Sequence, residues 1–190
     1  MNVPITQAAD GLPRRAFTIA DIERMVEHGL IDPDERFELI GGEIVPMSPK
    51  GIRHEVLKSW VNRQLAARLP EPLEFTPETT FRLSADTFLE PDFVVYERAA
   101  GLRRLTGATA LLVVEVGDTS LAYDRGRKAV LYAAFGIREL WVIDAVQPST
   151  RVHRDPTPTG YRTIIDHPAE ATLRPHLIEG FGLSLADFRD

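Results

Sequence analysis

A mixed α/β fold is expected for this chain on three observations. Glu90-Pro91-Asp92-Phe93-Val94-Val95-Tyr96 and Leu111-Leu112-Val113-Val114-Glu115-Val116 have the apolar, β-branched composition of buried strands. A helical pattern follows the second run and leads into Glu139-Leu140-Trp141-Val142-Ile143-Asp144, another buried strand. A strand-helix-strand connection over residues 110–144 implies a parallel pair and a right-handed crossover. With an amphipathic helix over 52–69 ahead of them, the middle of the chain takes the order α-β-β-β-α-β. A helix and hairpin precede it and short strands follow.

The elements have local causes. Thr18 can cap a first helix that runs to about His28, and Gly29 ends it. Arg36–Ile40 and Glu43–Met47 read as a hairpin through Gly41-Gly42. In the helix over 52–69, Ile52, Val56, Trp60 or Val61, Leu65 and Leu69 recur at helical spacing, and Pro70 and Pro72 stop it. Residues 73–83 read as extended, with Leu73, Phe75 and Phe81 as core contacts. A helix from about Tyr123 to Phe135 is ended by Gly136. Past Pro148, short strands near Arg151–Arg154 and Tyr161–Ile165 flank a Pro-Thr-Pro-Thr-Gly turn. The tail Leu183–Phe188 closes the core, and Trp141 belongs to it.

Composition bounds the rest. The 190 residues suit one domain over 1–190, with 1–15 as a loosely packed arm. There is no cysteine, which excludes disulfides, thiolate nucleophiles and zinc–cysteine sites. No apolar run approaches the roughly 20 residues that span a bilayer. The N-terminus lacks the pattern of a signal peptide, so a cytoplasmic location is expected. The net charge of −6 is unevenly spread. Residues 1–49 hold nine acids against four bases, whereas 50–69 hold Lys50, Arg53, Lys58, Arg63 and Arg68 against Glu55 alone. An acidic protein can still meet a polyanion through such a local basic face.

Carboxylates are costly near a sheet core unless something pairs with them. Asp92 and Glu115, each in an apolar strand, therefore point to a divalent-metal site acting on phosphate. Asp124, Lys128, Leu131, Tyr132 and Phe135 share one helix face. Two readings of Lys128 stand level on that spacing: an ammonium aimed into a polar cleft, or a surface partner of Asp124. Asp118 reads as a metal-side carboxylate or a turn former. His54 lies in the first turn of its helix, facing away from Ile52 and Val56.

The order of elements, with Pro91-Asp92 and a later glutamate, resembles the PD-(D/E)XK nuclease superfamily. More narrowly, Val114-Glu115-Val116-Gly117-Asp118-Thr119-Ser120-Leu121-Ala122-Tyr123-Asp124-Arg125-Gly126-Arg127-Lys128, Leu131-Tyr132-Ala133, Gly136-Ile137-Arg138-Glu139 and Trp141-Val142-Ile143-Asp144 resemble the Uma family of prokaryotic restriction-endonuclease-like proteins. Phe37-Glu38-Leu39-Ile40, Gly42-Glu43 and the stretch from Met47 to His54 fit it too, so the likeness spans about residues 16–188.

The resemblance implies a restriction-endonuclease-like core and Mg²⁺- or Mn²⁺-dependent hydrolysis of phosphodiesters, foremost in DNA. Asp92, Glu115 and the backbone carbonyl of Val116 would hold metal. Lys128 would replace the superfamily lysine, whose position is Gly117 here. His54, Glu43, Asp118 and Asp124 would be accessory, and Lys50, Arg53, Lys58 and Arg125 would meet the nucleic-acid backbone. A homodimer is implied, supported by an apolar tail taken as exposed, and no membrane partner. Two competing readings are an inactive nuclease-fold module for binding or regulation, and a phosphohydrolase acting on RNA or nucleotides.

Overall fold

The structure is a computed structural model, and it describes residues 5–7 and 13–189. In chain order the elements are β1 (Ile5–Gln7), β2 (Pro13–Arg15), α1 (Ile19–Glu27), β3 (Phe37–Ile40), β4 (Glu43–Pro46), α2 (Ile52–Arg68), β5 (Leu73–Pro77), β6 (Phe81–Arg82) and β7 (Phe88–Leu89). Then come β8 (Phe93–Glu97), β9 (Leu112–Gly117), α3 (Leu121–Tyr123), a π-helical turn (Asp124–Lys128), α4 (Ala129–Ala134), β10 (Glu139–Asp144), β11 (Ser149–Thr157) and β12 (Gly160–Pro168). They fall into two compact units. One holds the described residues of Met1–Ser48 with Thr80–Glu90, the other those of Pro49–Thr79 with Pro91–Asp190.

In the first unit, part of the arm expected over 1–15 lies outside the described residues. Of the remainder, β1 pairs antiparallel with β2. The Thr18 hydroxyl accepts the Asp21 N–H at 3.1 Å while the Asp21 carboxylate accepts the Thr18 N–H at 2.9 Å. This reciprocal cap starts α1 as the sequence predicts. Gly29, at φ +68°, follows its end. The β3–β4 hairpin turns on Gly41 and Gly42, both at positive φ, and a Cβ on Gly42 would lie 2.5 Å from that of Ala16. The small sheet has the order β4-β3-β7-β6 and buries Ile19, Ile22, Phe37, Leu39 and Phe88 together.

The second unit is a six-stranded sheet in the order β12-β11-β10-β9-β8-β5. β9 and β10 are its parallel pair, as the strand-helix-strand pattern predicts, and the other neighbours run antiparallel. Leu57, Trp60, Val61 and Leu65 of α2 pack with Phe93, Val95, Val114, Val116, Trp141 and Ile143. Each such side chain contributes about 1.5–3 kcal/mol on burial. Leu183 and Leu185 join this core at 1% and 3% exposure, so the tail closes the core and is not the exposed apolar surface from which a dimer was argued.

Three further expectations are corrected. The inward stripe of α2 runs His54, Leu57, Trp60, Val61 and Leu65, while Ile52 is 77% exposed. Four-residue spacing from Leu57 through Val61 to Leu65 sets that phase, and it turns His54 in and Ile52 out. β11 and β12 are nine residues each, not short strands, because they pair from Ser149–Pro168 to Thr157–Gly160 with a break only at Asp155. Finally, the helix after β9 is not uniformly α-helical but carries the π turn. Among the described residues, no helix is long and apolar enough to cross a membrane.

Candidate active site

The pairing of Phe93 with Val114 carries the β8–β9 register. Asp92 directly precedes β8 and Glu115 directly follows Val114, so the end of this ladder brings the two acids near enough for the Asp92 charge to act on Glu115. Val114 and Val116 point into the core with α2. Strand alternation therefore sends Glu115 to the other face, where it meets Lys128 and Tyr132. Asp92 and Glu115 are 3% and 4% exposed.

Asp92 is heavily partnered. Its Oδ2 accepts the Val116 N–H at 2.8 Å and lies 3.1 Å from His54 Nε2. Its Oδ1 accepts from Lys50 Nζ at 2.8 Å. Burial alone would raise this carboxyl, but His54 and Lys50 hold it down at about 2. His54 Nδ1 lies 3.2 Å from Glu55 Oε1, so the ring bridges two carboxylates. Lys50 also donates to Glu78 at 2.7 Å, and Lys58 spans Glu55 and Glu78 at 3.0 and 3.2 Å.

Glu115 is in the opposite condition. Its Oε1 accepts from Tyr132 Oη at 2.5 Å and lies 3.0 Å from Lys128 Nζ. Burial pushes the carboxyl up; Lys128 opposes this, and the Asp124 and Asp92 charges reinforce it, leaving the group at about 8. Asp124, 4% exposed, accepts from Ser120 Oγ at 2.7 Å. The π turn ends at Lys128, so Lys128 and Tyr132 both reach one glutamate from a single helix. π turns recur at functional sites.

Gly117 stands at the position where the superfamily pattern carries a lysine, and the fold closes it. A Cβ there would lie 2.9 Å from the Leu121 Cα and 2.8 Å from its Cδ1. The start of α3 closes the position to any side chain, so a lysine placed at 117 would not restore the superfamily arrangement.

The donor set fits a small divalent cation. Two buried carboxylates lie at the meeting of adjacent strands, and burial, reinforced by the charges of Asp124 and Asp92, holds Glu115 up at about 8. Mg²⁺ typically takes one or two protein carboxylates and completes its octahedron with water and substrate oxygens. Among the described residues, no group of three or more His, Asp or Glu side chains is placed to hold a metal ion.

The other predicted residues divide by place. Asp118 sits against Gly51, the cap of α2, with Oδ2 2.8 Å from where a Cβ would stand. Arg53 is exposed, and Arg125 lies 3.6 Å from Asp144. Lys50 and Lys58 do not stand on an open basic face, because both are tied into the carboxylate network. Glu43 belongs to the first unit, opposite Ile40 in the hairpin. In that unit Glu38 accepts the Glu90 N–H at 3.0 Å, a structural role. Sequence reasoning gave no role to Tyr132 or Glu78. Tyr132 had a signal, four residues past Lys128 on one helix face; Glu78 had none.

Known proteins bear on this arrangement in three ways. The sequence model of Uma2, a family described as "Putative restriction endonuclease", matches residues 20–186. The fold is similar to a crystal structure described as a "putative nuclease" from Anabaena variabilis, with a TM-score of 0.68 and 16% identity over 90% of this chain and 96% of that one. No curated protein matches the chain.

Proposed function

This chain belongs to the Uma2 family, and from that premise we propose that it is an endonuclease hydrolysing phosphodiester bonds in DNA with Mg²⁺ or Mn²⁺ held by Asp92 and Glu115. Family and fold support a nuclease; the buried Asp92–Glu115 pair with Lys128 on Glu115 is the observation that carries the finer reading. When bound, the cation would supply Lewis-acid polarisation of the phosphate and acidify a water.

The chain's own residues do the rest. Val116 N–H and His54 fix the Asp92 carboxylate from one side, and Tyr132 fixes Glu115 from the other. Lys128 holds positive charge beside the phosphate, where charge builds up in the transition state. The Val116 backbone carbonyl would add a further oxygen ligand. Exposed Arg53 and half-buried Arg125 would meet backbone phosphates, which position the substrate without reading sequence.

Incubation with supercoiled plasmid, single-stranded DNA and RNA, each with Mg²⁺ or Mn²⁺, tests this. Metal-dependent cleavage of DNA, lost in Asp92→Asn, is expected. Cleavage that survives chelation or Asp92→Asn would refute the mechanism, and cleavage of RNA alone would reassign the substrate. We also propose a two-fold homodimer, which would bring two sites to one duplex. Light scattering should give twice the mass of one chain, and a single-chain mass independent of concentration would refute it.

A further inference from the structure

Lys50 joins Asp92 to the acidic surface outside it through a flexible side chain, where His54 does so through a ring. Its ammonium sits 2.8 Å from Asp92 Oδ1 and 2.7 Å from Glu78 Oε1, and its side chain is only 13% exposed. Asp92 is nearly enclosed, whereas the Glu78 side chain is 36% exposed, so Lys50 bridges an inner and an outer carboxylate. The outer one is held in place by backbone. The Glu78 N–H donates to the Asp92 carbonyl at 3.2 Å, just beyond the pairing of Pro77 with Phe93, and Glu78 adopts a positive φ of 45° to do so. Such a conformation is costly for a residue with a side chain and persists only where its surroundings enforce it. Lys58 gives Glu78 a second cation at 3.2 Å.

We propose that Lys50 is the resident counter-ion of Asp92, which a divalent cation must displace onto Glu78 before the carboxylate pair can hold metal. This rests on the metal-dependent reading above. The chemistry is competition at one oxygen. A lysine ammonium is a compact point charge on a flexible four-carbon stem, and it occupies the side of Asp92 that His54 and Val116 leave to it. A cation and an ammonium on the same oxygen repel each other, so the ammonium has to leave. Glu78 lets it leave without losing its ion pair. The result is a site that is charge-compensated when empty and binds metal weakly on its own. Lys50 also stays within reach as a positive group beside incoming phosphate.

Titration calorimetry with Mn²⁺ alone, without nucleic acid, tests the proposal. Lys50→Met should bind Mn²⁺ about tenfold more tightly than the unaltered protein or more, while Lys50→Arg, which keeps the charge, should not gain. Glu78→Gln should weaken Mn²⁺ binding, because Lys50 then has only Asp92. Equal affinity within about twofold, or weaker binding, in Lys50→Met overturns the proposal. If that variant does not fold by circular dichroism, the surface variant Glu78→Gln decides, and unchanged or tighter binding there overturns it. Glu115→Gln in each background separates the two claims. Mn²⁺ binding that survives it, or binding in no protein, removes the metal reading and this proposal with it. Loss of binding in Glu115→Gln with no gain in Lys50→Met removes the proposal alone.

Discussion

Tyr132→Phe isolates one hydroxyl in the middle of the site. Tyr132 is fully buried, and its Oη donates to Glu115 Oε1 at 2.5 Å. Phenylalanine keeps the ring in place and removes only the donor. A hydrogen bond to a charged acceptor is worth roughly 1.5–3 kcal/mol, a neutral one about 1 kcal/mol. Which value applies depends on Glu115, so the loss should vary with pH. Burial holds Glu115 up at about 8 in the folded chain, against 4.5 for a free glutamate. Between those values the folded chain keeps a proton that the unfolded chain has released. The stability from that difference is fully present below about pH 4.5 and is lost as pH rises through about 8. Without the hydroxyl the ionised carboxylate is poorer still, and the fall steepens. Urea denaturation in chelator should therefore show Tyr132→Phe less stable by about 1 kcal/mol at pH 6 and by roughly 2–3 kcal/mol at pH 9. An equal deficit at both pH values would refute the claim that this hydroxyl supports the ionised Glu115.

Two further outcomes follow from the same geometry. Lys128→Ala should reduce DNA cleavage on the order of 100-fold or more without weakening Mn²⁺ binding measured by calorimetry; full activity would make Lys128 only a partner of Glu115. Gly117→Ala should destabilise the protein by roughly 1–3 kcal/mol in thermal unfolding, because its Cβ would meet the Leu121 Cα at 2.9 Å; an unchanged melting temperature would show that α3 gives way there.

The local devices of this fold were legible in the chain. The Thr18 cap, the Gly41-Gly42 turn, the parallel pair around the helix and the burial of Trp141 all follow from side-chain chemistry acting over a few residues. So did the two carboxylates, since an acid set in an apolar strand is conspicuous wherever the strand goes. The phase of α2 was not legible. Its first turn offers Ile52 or His54 to the core almost equally by local pattern, and only packing against β8 and β9 chose His54.

The partners of the carboxylates lay further out of reach. Lys50 meets Glu78 across 28 positions and Asp92 across 42, and His54 meets Asp92 across 38. Read locally, Lys50 and Lys58 were simply basic residues beside a helix; folded, they neutralise acids brought to them by the sheet. The sequence by itself determined which residues carry charge and which segments are strand or helix, because those depend on composition and short-range periodicity. Tertiary structure decided which charges meet, why Gly117 admits no lysine and why Lys128 reaches Glu115. Electrostatic pairing in a buried site depends on distance in space, and sequence separation does not encode that distance.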